Sequence, residues 1–228
     1  MMTKLKGVFF DIGSTLVMGP NLSPNKEIAL MINRPEVDAD AIGKVIMVKE
    51  FRGPSDVIKH ITSLDIDDPR AVESGIAKLW DRQEKDAIEI SGATQSVVSL
   101  KQMGLRLGLI SDIWVPYYES VKRACPAIIE AVDSATLSFK EGLKKPDTLL
   151  FKRALLSLDL APDEAVMVGD SYSSDIEPAM KIGMTTIWVL SRPEREIDSI
   201  INVIYGKSQK PDYIVGNISN LLQLNIWR

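Results

Sequence analysis

Residues 6–16 read KGVFFDIGSTL, and the reading of this stretch decides the fold. Residues 6–10 form a short apolar run that ends at Asp11 and is closed by Gly13 and Ser14. Such a run suits a strand buried on both faces, as strands of parallel sheets are.

Downstream of this strand the pattern changes twice. From about residue 24 to 87 there is no convincing strand, only helix-like stretches broken at Pro35, at Gly53 and Pro54, and at Pro69. Residues 56–64 and 70–85 carry apolar side chains at helical spacing. After Gly92, strand-like runs at 105–110, 135–139, 165–168, 185–190 and 213–215 alternate with helix-like stretches at 94–103, 116–132, 147–158 and 174–182. Strands and helices alternating at these lengths imply parallel pairing through right-handed crossovers. The expected fold is α/β: a doubly wound, Rossmann-like parallel sheet core (1–16 and 92–228) with an inserted all-α helical cap (17–91). Residues 192–210 hold a further helix candidate at 194–205 and a polar turn, GKSQKP, that either cover the sheet edge or form a partner surface.

Composition narrows the function. At 228 residues, 45% hydrophobic and 25% charged, the chain has the make-up of a compact globular protein. Lys and Arg number 27 against 31 Asp and Glu, so there is no basic field to attract nucleic acid or anionic lipid. No stretch approaches the roughly 18 apolar residues of a membrane span, and the first 13 residues lack the apolar run of a signal peptide. The expectation is a cytoplasmic protein with a small-molecule partner, no nucleic acid and no membrane, acting as monomer or homodimer. One cysteine, Cys125, and one histidine, His60, exclude an internal disulfide and any thiolate- or histidine-rich metal site. The chemistry has to come from carboxylates, hydroxyls and lysines.

In open α/β sheets ligands bind beyond the carboxyl ends of the strands. Asp11, Ser111, Gly169 and Asp170 each follow a strand candidate there, and Lys145 lies in the loop GLKKPD (142–147) just before a helix. In order and spacing these segments resemble the four motifs of the haloacid dehalogenase-like superfamily. VFFDIGSTL (8–16) is similar to its DxDx[TV] motif, LGLISD (107–112) to the strand ending in Ser or Thr, GLKKPD to the lysine motif, and VMVGDSYSSD (166–175) to GDxxxxD. The insert sits where that family carries a helical cap, so the resemblance spans nearly the whole chain.

The resemblance implies a magnesium-dependent phosphatase acting on a small phosphorylated metabolite. Asp11 would be the nucleophile that forms an aspartyl phosphate, with Lys145 neutralising charge on Asp11 and on the transferring group. Mg2+ would be held by Asp11, the backbone carbonyl of Gly13 and Asp170. Thr15, Ser111 and Asp112 would hold the phosphoryl group, and Asp175 would orient Lys145 or a metal-bound water. The cap would close over the site, with Arg52 and Lys59 as its substrate contacts.

One position departs from the family. Its phosphatases carry a second aspartate two residues after the nucleophile, as acid for the leaving oxygen and then base for water; here that residue is Gly13, and the adjacent hydroxyl of Ser14 is a poor substitute. General acid–base assistance is worth about 10²- to 10⁴-fold in rate. Gly13 therefore keeps two alternatives open. One is a weakly catalytic phosphate-binding or regulatory protein. The other is a phosphonate-cleaving enzyme with a Schiff-base cap lysine, for which Lys44, Lys49 and Lys59 are available. A 2-haloacid dehalogenase, which the chain resembles in fold, is disfavoured by the absent tyrosine at position 13 and by the acidic fourth motif.

Singly, these residues carry little weight. An Asp before Gly and Ser is ordinarily a turn residue, Asp170 and Ser111 could cap helices, Asp175 suits a helix first turn, and Lys145 could be solvated. Their joint order is what supports a site. His60 is expected to be a packed or solvated cap residue, Cys125 a buried and unreactive thiol, and Trp114 a packing residue rather than a pocket wall.

Overall fold

The computed structural model describes residues 4–20, 22–32, 38–61 and 66–227. Six parallel strands form one sheet: β1 (Gly7–Phe10), β2 (Arg106–Ser111), β3 (Ser134–Leu137), β4 (Ala165–Gly169), β5 (Thr185–Val189) and β6 (Tyr213–Val215), in the order β3-β2-β1-β4-β5-β6. The strand order reverses at β1, which lies between β2 and β4. Val8 faces Leu107 on one side and Val166 on the other, and Phe10 faces Leu109 and Val168. Asp11 thus emerges at the centre of the sheet, at its carboxyl edge.

Period-two alternation sorts the strands between two cores. Val8 and Phe10, Leu107 and Leu109, and Val166 and Val168 share one apolar cluster with the helices α5 (Ala93–Gln102), α6 (Val115–Ala124) and α7 (Pro126–Ala131). Phe9, Ile110 and Met167 point to the opposite face, against α9 (Thr148–Ser157) and Ala179 of α10 (Glu177–Lys181). A Cβ on Gly108 would overlap the Phe9 ring, so glycine there admits the aromatic ring into the second core.

Four helices lie between β1 and α5: α1 (Pro24–Met31), α2 (Asp38–Ile46), α3 (Pro54–Ile61) and α4 (Pro69–Gln83). Their buried faces, including Ile28, Ile42, Val57, Ile76 and Leu79, are continuous with the first core. The chain enters and leaves this insert side by side: Met18 N donates to Ile88 O and Ile90 N to Leu16 O, with Val17 bridging Glu89. This two-stranded neck joins residues 16–18 to residues 88–90. Asp68 caps α4 by accepting from Ala71 N at 3.1 Å, with Pro69 at the first helical position. Of the expected helix at 56–64, residues 62–64 lie outside the described residues, as does the expected break at Pro35.

Three local expectations need correction. The stretch 116–132 is two helices, because Pro126 disfavours helical backbone at Cys125, which sits at φ −129° and ψ 55°. The strand expected over 135–139 ends at Leu137; Ser138 opens a four-residue helix, α8 (Ser138–Glu141), its hydroxyl accepting from Ile113 N and donating to Ile113 O. The helix expected over 174–182 begins as a π-type turn (Tyr172–Ile176) and becomes α-helical only in α10. The last candidate resolves into a 3-10 turn, Pro193–Arg195, and α11 (Ile197–Ile204). Among the described residues no helix is long and apolar enough to cross a membrane.

Candidate active site

The loops after β1, β2, β4 and β5 converge on a cleft of about 510 Å³ at the carboxyl edge of the sheet. Asp11 lies in its floor, 6% exposed. Its Oδ1 accepts from Lys145 Nζ at 2.6 Å and from Ser111 Oγ at 3.0 Å. Both protein donors meet the same oxygen, which leaves Oδ2 without a donor among the described residues. The carboxylate is held by one end and presents the other.

Lys145 is fixed from two further directions. Its Nζ also lies 2.6 Å from Asp175 Oδ1, and its backbone N–H donates to Asp112 Oδ1 at 2.8 Å. Asp175, fully buried, accepts from Ser171 N through its other oxygen at 3.0 Å. That bond belongs to the π-type turn after Asp170, and it requires glycine at 169, where a Cβ would overlap the Asp175 side chain. Burial alone would lower the Lys145 pKa, but Asp11 and Asp175 outweigh it and hold the ammonium charged.

Asp11, Asp170 and Asp175 each offer an oxygen within 4.8 Å of the others, all three buried. Burial raises the Asp170 pKa to about 6, with Asp11 adding to the rise and Arg192 opposing it. Asp175 is shifted upward by burial, against the pull of Lys145. The Gly13 carbonyl accepts no hydrogen bond among the described residues. Oxygen donors alone, with excess negative charge at close range, suit a hard divalent cation and exclude a soft one. The residues present therefore fit a metal.

The turn from Gly13 to Gly19 closes the cleft. Ser14, not Gly13, takes the left-handed conformation, at φ 62°. It is held there by its N–H to Val17 O and by Ser191 Oγ donating to its carbonyl, each at 2.6 Å. Thr15 is fully buried behind Asp11, and its Oγ1 has no partner among the described residues.

The structure thus gathers Asp11, Gly13, Asp112, Lys145, Asp170 and Asp175 at one cleft, with Ser111 bonded to Asp11. Asp112 accepts from the Lys145 backbone N–H through Oδ1, and its Oδ2 lies 4.0 Å from Lys144 Nζ. Arg52 and Lys59 do not line the cleft; on α3, Lys59 Nζ lies 3.8 Å from Asp56. Lys44 and Lys49 are exposed and also outside it. Three cations that the sequence reading missed do line it: Lys26 from α1, and Arg192 and Arg195 from the loop after β5. Arg192 donates to Asp170 Oδ2 from Nη2 at 2.6 Å and from Nε at 3.2 Å. Isolated basic residues in loops have no periodicity, and the run RPER at 192–195 was the only available signal.

Residues expected to be bystanders are so placed. His60 Nδ1 lies 2.7 Å from Asp56 O, with its ring edge-on to Phe51. Burial pushes the Cys125 thiol up to about 11. Trp114 packs edge-on against Trp80 and donates to Gln83 Oε1 at 3.0 Å.

Residues 142–221, which include Lys145, Asp170 and Asp175, match the family described as HAD-hydrolase-like. The glyceraldehyde 3-phosphate phosphatase of Pyrococcus furiosus is 28% identical over 233 residues, covering 98% of this chain and 94% of that protein. Its counterpart from Pyrococcus abyssi is 31% identical over 194 residues, 81% of each. Among solved structures, a HAD phosphatase from Thermococcus onnurineus has the same fold at TM-score 0.62 and 19% identity, covering 96% of this chain and 97% of that one. An L-2-haloacid dehalogenase from Xanthobacter autotrophicus shares the fold at TM-score 0.58 and 15% identity, over 96% and 98%. Similarity to these phosphatases over most of its length shows that this chain belongs to the haloacid dehalogenase-like hydrolase superfamily, as a phosphatase by homology.

Proposed function

We propose that this protein is a Mg2+-dependent phosphatase of small phosphorylated metabolites that works through an aspartyl phosphate on Asp11. The observation that carries the reading is the Asp11 carboxylate in the cleft lining, with both its donors on Oδ1 and none on Oδ2 among the described residues. In this mechanism Oδ2 attacks phosphorus, the P–O bond to the leaving group breaks, and its electron pair departs on the leaving oxygen. Lys145 and Ser111 keep the attacking carboxylate in one rotamer, so little reorganisation accompanies attack. Asp175 and Asp112 hold Lys145 at its two ends. Water then attacks the phosphorus, releases phosphate and regenerates Asp11.

Mg2+, held by Asp11, Asp170 and the Gly13 carbonyl, would offset the repulsion between carboxylate and phosphate. Residues 17–91 act as the cap over a core of 1–16 and 92–228, joined through the neck at 16–18 and 88–90. Glyceraldehyde 3-phosphate, the substrate in the names of the relatives, is the first compound to assay.

Metal and proton compete for the same carboxylates. Asp170, with a pKa raised to about 6, is charged above that pH and protonated below it. For an acid raised on folding, the metal-free protein loses stability as pH climbs from the unfolded value of 3.8 through about 6. Bound Mg2+ restores it. At one hundred times its Kd the ion adds about 2.7 kcal/mol, a shift in Tm of roughly 5–10 °C for a chain of this size. Thermal unfolding with and without Mg2+ should show that shift at pH 8 and about half of it at pH 5, where protonation of Asp170 weakens the apparent affinity roughly tenfold. A shift independent of pH would contradict this assignment of the metal site.

The activity test is a panel of phosphate esters and acyl phosphates with Mg2+. Because Gly13 brings no acid, acyl and aryl phosphates should turn over faster than alkyl phosphates. Equal rates across leaving groups of widely different pKa would defeat this expectation. Lys26, the one cap lysine in the cleft among the described residues, makes a Schiff-base phosphonatase the second reading. Borohydride trapping of Lys26 by an aldehyde phosphonate would favour it.

A further inference from the structure

Arg192 is one of three cleft cations that the sequence reading does not use, and its geometry is specific. Its loop is held at three points: Ser191 Oγ donates to Ser14 O at 2.6 Å and Tyr172 N to Glu196 Oε2 at 3.0 Å, both beside the site, while Leu190 N donates to Val215 O of β6 at 2.8 Å. Nε and Nη2 of its guanidinium both bond to Asp170 Oδ2. Nη1 makes no hydrogen bond among the described residues. This third nitrogen faces the Gly13–Gly19 turn: an ideal Cβ on Gly19 would stand 3.7 Å from Nη1 and 2.9 Å from Ser14 Oγ. A fixed, charged donor without a partner therefore stands on the side of the cleft bounded by the turn that lacks an acid.

We propose that Arg192 is a catalytic residue that stabilises the leaving-group oxygen by charge, in place of the proton an acid at position 13 would have supplied. The inference rests on the phosphatase reading. As the bond from phosphorus to the leaving oxygen breaks, the electron pair stays on that oxygen, and the Nη1 donor meets the developing charge. The guanidinium keeps its proton, since arginine does not deprotonate in proteins. The leaving group takes its proton from water on release. A donor already anchored through its other nitrogens requires no reorganisation during the reaction, which is the condition for effective electrostatic stabilisation. The Asp170 contact fixes the fork, and Gly19 leaves room beside it.

The test is a series of aryl and alkyl phosphates with leaving groups of increasing pKa, assayed with Mg2+ on wild type, Arg192→Met, Arg192→Gln and Arg192→Met combined with Gly13→Asp. For Arg192→Met the rate on the poorest leaving group should fall on the order of 10²-fold, as when one oxyanion donor is removed. The rate on the best should fall only a few-fold, so dependence on leaving-group pKa steepens. Arg192→Gln, which keeps a hydrogen bond to Asp170 without the charge, should steepen it equally and carries the test if the Met variant does not fold. Adding Gly13→Asp should flatten it again. Mg2+-induced thermal stabilisation, measured without substrate, should persist in the Arg192 variants.

A uniform loss with unchanged slope would show that Arg192 only braces Asp170, and would overturn the proposal. So would a loss matched by disappearance of the Mg2+ response. A wild type that hydrolyses nothing on the series would remove the phosphatase reading together with this one, whereas an active wild type with unaltered slopes removes this one alone.

Discussion

Gly13→Asp should raise turnover of alkyl phosphates on the order of 10²- to 10⁴-fold, the range that general acid–base assistance is worth. The backbone is ready to receive the side chain. An ideal Cβ at Gly13 meets nothing within 4 Å, and the strained left-handed conformation belongs to Ser14 instead. No steric reason thus excludes an acid here, and its absence is a chemical property of the site. The carbonyl that would hold the metal is main chain and survives the substitution. The gain in the phosphorylation step should be largest for leaving groups of high pKa; for acyl phosphates, which leave without protonation, the gain comes only from faster breakdown of the phosphoenzyme. Steady-state kinetics on one alkyl and one acyl phosphate suffice. A variant that folds, responds to Mg2+ and gains nothing on the alkyl ester would show that the missing acid does not limit this enzyme.

Asp11→Asn should lower turnover by about 10⁴-fold or more, as loss of a catalytic nucleophile does. The fold should persist. Asn keeps the shape and can still accept from Lys145 and Ser111, while the repulsion that Asp11 exerts on Asp170 and Asp175 is removed. The metal-free variant should therefore melt at or above the wild-type temperature, and its Mg2+ response should weaken with the loss of one charged ligand. An inactive variant with lowered Tm would indicate a folding defect instead, and activity within tenfold of wild type would exclude Asp11 as nucleophile.

The fold was largely legible because buried parallel strands leave an unambiguous trace. GVFF, LGLI and AVMVG are apolar without interruption, since each strand packs on both faces. The floor of the candidate site was legible for a related reason: Asp11, Ser111 and Asp170 sit at or just after strand ends, and strand ends converge in this topology. What stayed hidden depends on tertiary contact. Nothing local distinguishes Arg192 from the other arginines, and its place at the cleft is fixed by Asp170, 22 residues earlier. Arg52 and Lys59 stood out as cations in the insert, but the cleft takes its cap cation from α1, as Lys26, and not from α3. The π-type turn at 172–176 overrides helix periodicity because Asp175 must reach both Ser171 N and Lys145.

Gly13 also bears on the second half of the cycle, where the same missing group would activate water. Breakdown of the aspartyl phosphate should therefore be slow, and the phosphoenzyme should accumulate. The direct test is to mix enzyme, Mg2+ and an acyl phosphate, quench in acid within the first turnovers, and weigh the peptides. The account predicts one added phosphoryl group on the peptide containing Asp11, absent in Asp11→Asn and reduced in Gly13→Asp. Phosphate release with that peptide unmodified at every time point would contradict it.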